Sequence, residues 1–287
     1  MTSYVSELER GEGFSETTVH PGSLADLAAS EPANGVYLVA RSWQGGKVLE
    51  LDAHFDRLTR SARGLGHDIE VPRQQLRAQL EAQRRASGWL DIRFRITAIL
   101  DTPIWWRVSI EEARPVPDAL LQNGVRCLTV HRSARARPEV KSTAWLHARE
   151  CLQTGDDGGD PVYEHLLTDD IGRILEGSSA NFYAVVGDTL MTAGQGVLAG
   201  IARRIVLTVA RPLMPVQLTP PRLTELGPDD EAFISSATRG VVPVRRIDDH
   251  LLGPPGLATR RIMAAYDAWL AAHLEPLVEA SDCSPST

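Results

Sequence analysis

Hydrophobic positions recur with two distinct periods along this chain. In Leu51 to Gly66 (LDAHFDRLTRSARGLG), Phe55, Leu58, Ala62 and Leu65 fall at helical spacing, and Gly64 and Gly66 supply a stop. Pro72 opens a second helix (VPRQQLRAQLEAQRRASG) with Leu76 and Leu80 inward and Gly88 at its end. The period then drops to two. In DIRFRITAIL, Ile92, Phe94, Ile96 and Ala98 share one face, and Arg93, Arg95 and Thr97 share the other. A turn at Asp101-Thr102-Pro103 leads into WWRVSIEE, where Trp106, Val108 and Ile110 alternate again, predicting a hairpin.

The segment EARPVPD, Glu112 to Asp118, has two prolines and no period, and reads as a linker between domains of residues 1–115 and 116–287. Beyond it come short strands: GVRCLTVH, YEHLLTD, ILEG, NFYAVV, TLMT and EAFISSA, with turns at Asp170-Ile171-Gly172, Gly187-Asp188 and Thr238-Arg239-Gly240. A helix from about Gly200 carries Ile201, Ile205 and Val209 on one face and breaks at Pro212. Another, from about Leu257 to His273, turns Ile262, Tyr266, Trp269 and Leu270 inward. The polar residues from about 279 read as a frayed tail. Many short strands and few helices predict an α+β chain.

Composition narrows the function classes. The formal charge of −7 gives no basic field for nucleic acid, and no stretch is apolar for the roughly 20 residues of a membrane span. The start, MTSYVSELERGEGF, is too polar and acidic for a secretory signal. Three cysteines, Cys127, Cys151 and Cys283, are widely spaced, so a disulfide framework is not expected and a cytoplasmic location is. The eight histidines show no ligand spacing, so no metal site is expected. GQGVLAG, Gly194 to Gly200, imitates a dinucleotide fingerprint, but its third glycine falls one residue late.

Five places can carry chemistry. Lys141 follows a basic segment with Arg132, Arg135 and Arg137; it is either a solvated surface charge or, if desolvated beside cations, an amine nucleophile. Glu176, in ILEGSSANFYAVV, is either a turn carboxylate or an acceptor facing a heterocyclic nitrogen. Arg57, on the polar arc of its helix, is either solvated or an anion contact. The N–H groups of Ile201 and Ala202 open a helix straight after Gly200, and Thr238 sits in a turn; both are possible anion contacts.

The order of these motifs resembles the fold-type IV (class IV) aminotransferases, which bind pyridoxal 5'-phosphate. The resemblance runs from about Gly35 to Val244 in five blocks. LDAHFDRLTRSARGLG resembles the helix with the family's phosphate-binding arginine, here Arg57, and VKSTAWLHA the block with its Schiff-base lysine, here Lys141. ILEGSSANFYAVVGDTLMT, the most specific match, places the carboxylate for the pyridine nitrogen on Glu176. GVLAGIARRIVL resembles the cofactor-phosphate loop, with donors on Ile201 and Ala202, and SSATRGVVPV the last block, with Thr238 as a further phosphate contact. The resemblance implies a two-domain α+β fold with the cofactor in the cleft between domains. It also implies a homodimer and transfer of an amino group from an amino acid or amine to a 2-oxo acid.

Departures from the family bear on the substrate. Leu146 stands where branched-chain members carry a cofactor-contacting tyrosine. In GVYLVARSW, Tyr37 and Arg41 match the family's substrate strand, but Leu38 replaces a usual acid. AILDTPIWW lacks the Arg-x-His pair of D-amino-acid transaminases and the Gly/Arg-rich loop of aminodeoxychorismate lyases. Trp106 lies on the buried alternation and Trp105 faces the other way, as a pocket wall; Arg41, Arg95 and Arg239 are candidates for a substrate carboxylate, with Arg239 best placed. Two other readings share these residues: an aminodeoxychorismate-type lyase releasing pyruvate, and a catalytically silent cofactor-binding scaffold.

Overall fold

The computed structural model describes residues 1–8, 13–150 and 160–278. Cys151, Cys283 and the tail from 279 lie outside the described residues. The chain forms two compact units: Met1–Arg114 with Val140–His147 and His273–Thr287, and Pro115–Glu139 with Ala148–Ala272. Among the described residues, no helix is long and apolar enough to cross a membrane.

The first unit is built on a seven-stranded sheet. Its order is Leu274–Pro276, Lys47–Leu49, Gly35–Trp43, Ile92–Ile99, Trp105–Glu112, Thr2–Leu8, Thr18–Pro21. The hairpin read from the alternation pairs Ile92 with Glu112 through Ile99 with Trp105. Side chains alternate across a strand, so Val36, Leu38 and Ala40 share one face with Phe94, Ile96, Val108 and Ile110. Helices Leu51–Gly64 and Arg73–Ser87 close that face with Leu51, Phe55, Leu58, Ala62, Leu76 and Leu80. Leu38, at the position where the family usually has an acid, is wholly buried in this apolar layer, where a carboxylate would lack a partner. Gly88 ends the second helix at φ +72°, a conformation that costs other residues strain. Trp106 belongs to the core.

The opposite face was expected to be the polar one, and it is polar yet largely closed. Tyr37 lies opposite Thr97 and diagonal to Arg95, and all three are buried. Helix Leu24–Ala29 contributes Ala28, which packs with Tyr37 and Leu146. Its capping box, Ser23 with Asp26, fixes the helix start.

The second unit is a nine-stranded sheet that closes on itself. The path runs Val216–Gln217, Thr189–Met191, Asn181–Val186, Glu231–Ser236, Gly240–Ile247, Val125–Val130, Val162–Thr168, Ile174–Gly177, with His250–Leu251 beside Gly240–Ile247. Asn181 pairs in turn with Glu176, joining Ile174–Gly177 back to Asn181–Val186. Six strands therefore form a ring around an apolar centre of Val125, Leu166, Phe182, Ile234, Val242 and Val244. Two of its junctions are parallel, on either side of Val125–Val130. Helices Ile201–Ala210 and Leu257–His273 fall where the periodicity placed them, with Ile201, Ile205, Val209, Ile262 and Tyr266 buried. Trp269 and Leu270 are only half-buried.

Candidate active site

In the first unit, the Lys141 segment lies against strand Gly35–Trp43. The Tyr37 amide donates to the Lys141 carbonyl at 3.0 Å, Val36 bridges Ser142, and the Gly35 amide donates to Thr143 Oγ1 at 2.8 Å. From the other side, Ser61 Oγ accepts the Lys141 amide at 3.1 Å. Ser61 is one of three buried polar residues on helix Leu51–Gly64, with His54 and Arg57, spaced three and seven positions from His54 and so on one face. Arg57 is 5% exposed, which removes the solvated alternative. Its Nη2 lies 3.4 Å from His54 Nδ1. Burial, then the charges of Arg57 and Lys141, hold the His54 imidazole well below its ordinary range, so it remains neutral between two cations. The Lys141 ammonium lies 5.0 Å from the centre of the Tyr37 ring, and Leu146 packs on Tyr37 at the family's tyrosine position.

In the second unit, Glu176 sits at the seam where the ring closes and is 3% exposed. Its Oε2 accepts the Leu198 amide at 3.0 Å, and its Oε1 lies 3.4 Å from Arg135 Nη1. Asn181 Nδ2 donates to the Leu198 carbonyl at 3.1 Å, so the two seam residues grip one residue by its amide and its carbonyl. That grip places Gly200, where a side chain would run into Asn181, and hence the start of helix Ile201–Ala210. Among the described residues no side chain caps this helix, and its first amides, including Ile201 and Ala202, have no acceptor within it. Thr238 is half-buried in the turn before Gly240.

The substrate candidates separate by their partners. Tyr37 is beside Lys141. Arg95 is also there, but both its Nε and Nη2 are held by Glu31, at 3.0 and 2.5 Å. Arg41 stacks on Trp43 and donates to the Ser42 and Arg114 carbonyls; burial lowers its pKa. Trp105 donates to Asp101 and carries Arg107 on its ring. Arg239 donates to Glu164 at 2.9 Å and to Ser179 and Ser236, so its fork fastens the turn that follows Glu176. Burial alone would raise Glu164, but Arg239 and the Ser178 and Ser179 hydroxyls hold it below the usual carboxylate range. Gly177 is needed beside it, because a Cβ there would stand 2.9 Å from Glu164 Cγ. Cys127 is buried with its thiol pushed well up by burial and by Glu164, which keeps it unreactive.

One signal in the chain bears directly on the amine. Of its 30 basic Lys and Arg side chains only two are lysines, Lys47 and Lys141. Lys47 is exposed and donates to Gln44, whereas Lys141 is half-buried among the groups above.

Residues 35–247 match the model of the family described as amino-transferase class IV. The chain belongs to the class IV aminotransferases. It is a pyridoxal-phosphate-dependent transaminase, and neither the lyase nor the scaffold reading gains support. Among its relatives, the D-alanine aminotransferase of Bacillus licheniformis is 29% identical over 250 residues, 81% of this chain and 86% of that one. The branched-chain-amino-acid aminotransferase of Pseudomonas aeruginosa is 26% identical over 263 residues, 81% and 82% of the two chains. In fold, the crystal structure of the branched-chain aminotransferase from Thermoproteus uzoniensis with norvaline superposes with a TM-score of 0.76 at 22% identity, covering 96% of this chain and 100% of that one. The aminotransferase has groups that suit its cofactor: a buried carboxylate for a protonated ring nitrogen, uncapped helix amides for a phosphate, and one sheltered amine for an aldehyde.

Proposed function

We propose that Lys141 is the amine that carries the cofactor and then moves the substrate proton. Its Nζ takes the α-proton from the amino donor and returns it during transfer to the 2-oxo acid. The observation that carries this reading is that Lys141 is the one sheltered lysine amine, 5.0 Å from the centre of the Tyr37 ring and near enough to His54 for its charge to act there. Pyridoxal phosphate supplies, once bound, the electron sink that lets an amino group move between carbon skeletons. In the first unit, Arg57 would meet the phosphate with its charge, oriented by the imidazole that cannot compete as a cation. In the second, the Ile201 and Ala202 amides and Thr238 would supply neutral donors, and Glu176 would hold the proton on the ring nitrogen.

For the substrate, Tyr37 and Leu146 would wall the side next to Lys141. Arg95 and Arg239, engaged by Glu31 and Glu164, would not read the substrate carboxylate. The family resemblance supports a homodimer, and the three widely spaced cysteines support a cytoplasmic location. Purified protein is expected to show a near-visible absorption band with the cofactor, bleached by an amino-donor mixture and restored by a 2-oxo acid. In Arg57→Ala, the same band should require roughly 10 to 100 times more cofactor, the cost of a lost charge-assisted contact. An unchanged requirement would refute the role given to Arg57.

A further inference from the structure

Glu31, directly after the helix that packs on Tyr37, is an unusually well-engaged carboxylate. It is 3% exposed, and its two oxygens receive Arg95 Nε at 3.0 and 3.1 Å and Arg95 Nη2 at 2.5 Å. Thr97 Oγ1 adds a third donor at 2.8 Å, and the Glu31 carbonyl lies 2.8 Å from His147 Nε2, on the helix that begins just after Lys141. The guanidinium so fixed lies 3.8 Å from the centre of the Tyr37 ring, the ring that also has the Lys141 ammonium at 5.0 Å. Two cations thus share one aromatic ring, and Arg95 brings Glu31 with it as a counter-ion. A ring flanked by cations gains from both, but the cations repel each other across a medium that burial makes poorly screening.

We propose that Glu31 and Arg95 are positioning residues for the Lys141 amine: the pair fixes the Tyr37 ring beside it, and Glu31 cancels the charge that Arg95 would otherwise exert there. The pair acts through Tyr37. The other charged or titratable neighbours shown around Lys141 in this unit are His54 and Arg57, from helix Leu51–Gly64. The inference rests on Lys141 being the reacting amine, but its test does not need turnover.

The test uses the two-lysine composition. Cofactor-free protein is acetylated with limiting acetic anhydride from pH 6 to pH 10, and Lys141 labelling is read by mass spectrometry against exposed Lys47. In Glu31→Gln, the uncancelled Arg95 charge should lower the Lys141 labelling midpoint by about one pH unit, a roughly tenfold faster reaction than wild type at neutral pH. In Arg95→Gln, the uncancelled Glu31 charge should shift the midpoint the other way, and the double variant Glu31→Gln/Arg95→Gln should return it close to wild type. A merely structural role would loosen the site alike in both single variants and would not reverse the sign. Equal midpoints in all four proteins, or shifts of one sign, would overturn the proposal. Should the single variants not fold, Arg95→Lys keeps both charges but loses the fork and the flat stacking surface, and the lysine it adds is separated from Lys141 by following the Lys141 peptide alone. Its labelling rate at pH 10 should rise about threefold as the ring is freed, and an unchanged rate would overturn the positioning role. A shifted midpoint in a protein whose Lys141→Ala variant retains turnover would refute the catalytic reading and leave this one standing.

Discussion

In the first unit the groups assigned to chemistry are side chains, placed on one face of helix Leu51–Gly64 and on the neighbouring strand: His54, Arg57, Ser61, Tyr37 and Lys141. In the second they are largely backbone, the amides at the start of helix Ile201–Ala210, set by the seam in which Glu176 and Asn181 grip Leu198. The difference decides what a substitution can reach. A side chain in the first unit can be removed with its fold left standing, because the sheet and helices are held by the apolar layer beneath. In the second, the residues that present the donors are also the residues whose backbone pairing closes the ring.

Lys141→Ala should show the separation at its widest. Turnover is expected to fall by at least about 10³-fold, the scale of a lost proton-transfer group. The unfolding free energy from urea titration should stay within roughly 0.5 kcal/mol of wild type, since the removed atoms belong to no core cluster. A variant with steady turnover, or one that unfolds, would remove the contrast. Glu164→Ala should do the reverse. It strips the counter-ion from Arg239 and the acceptor from the Ser178–Ser179 turn, which is expected to cost about 3–5 kcal/mol by chemical denaturation, with Glu164→Gln retaining part of it. A loss below about 1 kcal/mol would show that the turn holds itself.

The smallest effect is a pH dependence confined to the first unit. His54 is held well below its ordinary value of 6.5, so as pH falls below 6.5 the unfolded chain takes up a proton that the folded one refuses. Stability should therefore be unaffected by this group above 6.5 and fall towards pH 5 by up to about 1.4 kcal/mol per pH unit. The depressed carboxylates Glu81 and Glu164 lose their contribution only below their ordinary value of 4.5, which leaves the window open. In His54→Gln this part of the slope should vanish; its persistence would assign the loss elsewhere.

What the sequence could convey followed from how local each interaction is. The helices at 51–64, 73–87 and 201–210 and the hairpin 92–112 were readable because their periods survive in short windows. Strand Thr2–Leu8 was not, because Ser3 and Ser6 occupy buried positions and erase the apolar alternation. Strand Gly240–Ile247 hides behind Pro243, which lacks the amide that strands normally use. The closure of Ile174–Gly177 onto Asn181–Val186 is a pairing rather than a period, so nothing in either segment announces it. Among the candidate site residues, the motif blocks named Lys141, Tyr37 and Arg57 separately, and only the structure brings Lys141 beside Tyr37 and Arg57 beside His54. His54 and Ser61 were legible only as the polar spacing beside Arg57, and Glu31, in an aperiodic SEP segment, left no trace. Arg95 and Arg239 were read as available cations because a sequence does not show that their counter-ions come from 64 and 75 residues away.

The edge strand Leu274–Pro276, which pairs with Lys47–Leu49 and is followed by the core residue Leu277, carries a consequence for synthesis on the ribosome. Six of the seven strands of the sheet that shelters Lys141 precede the second unit in the chain, yet the last strand emerges more than 200 residues after the partner it joins. At about 5–20 residues per second the nascent sheet waits on the order of tens of seconds with that edge open. In that interval its exposed amides and carbonyls are free to join another chain. The unit that is started first is finished last.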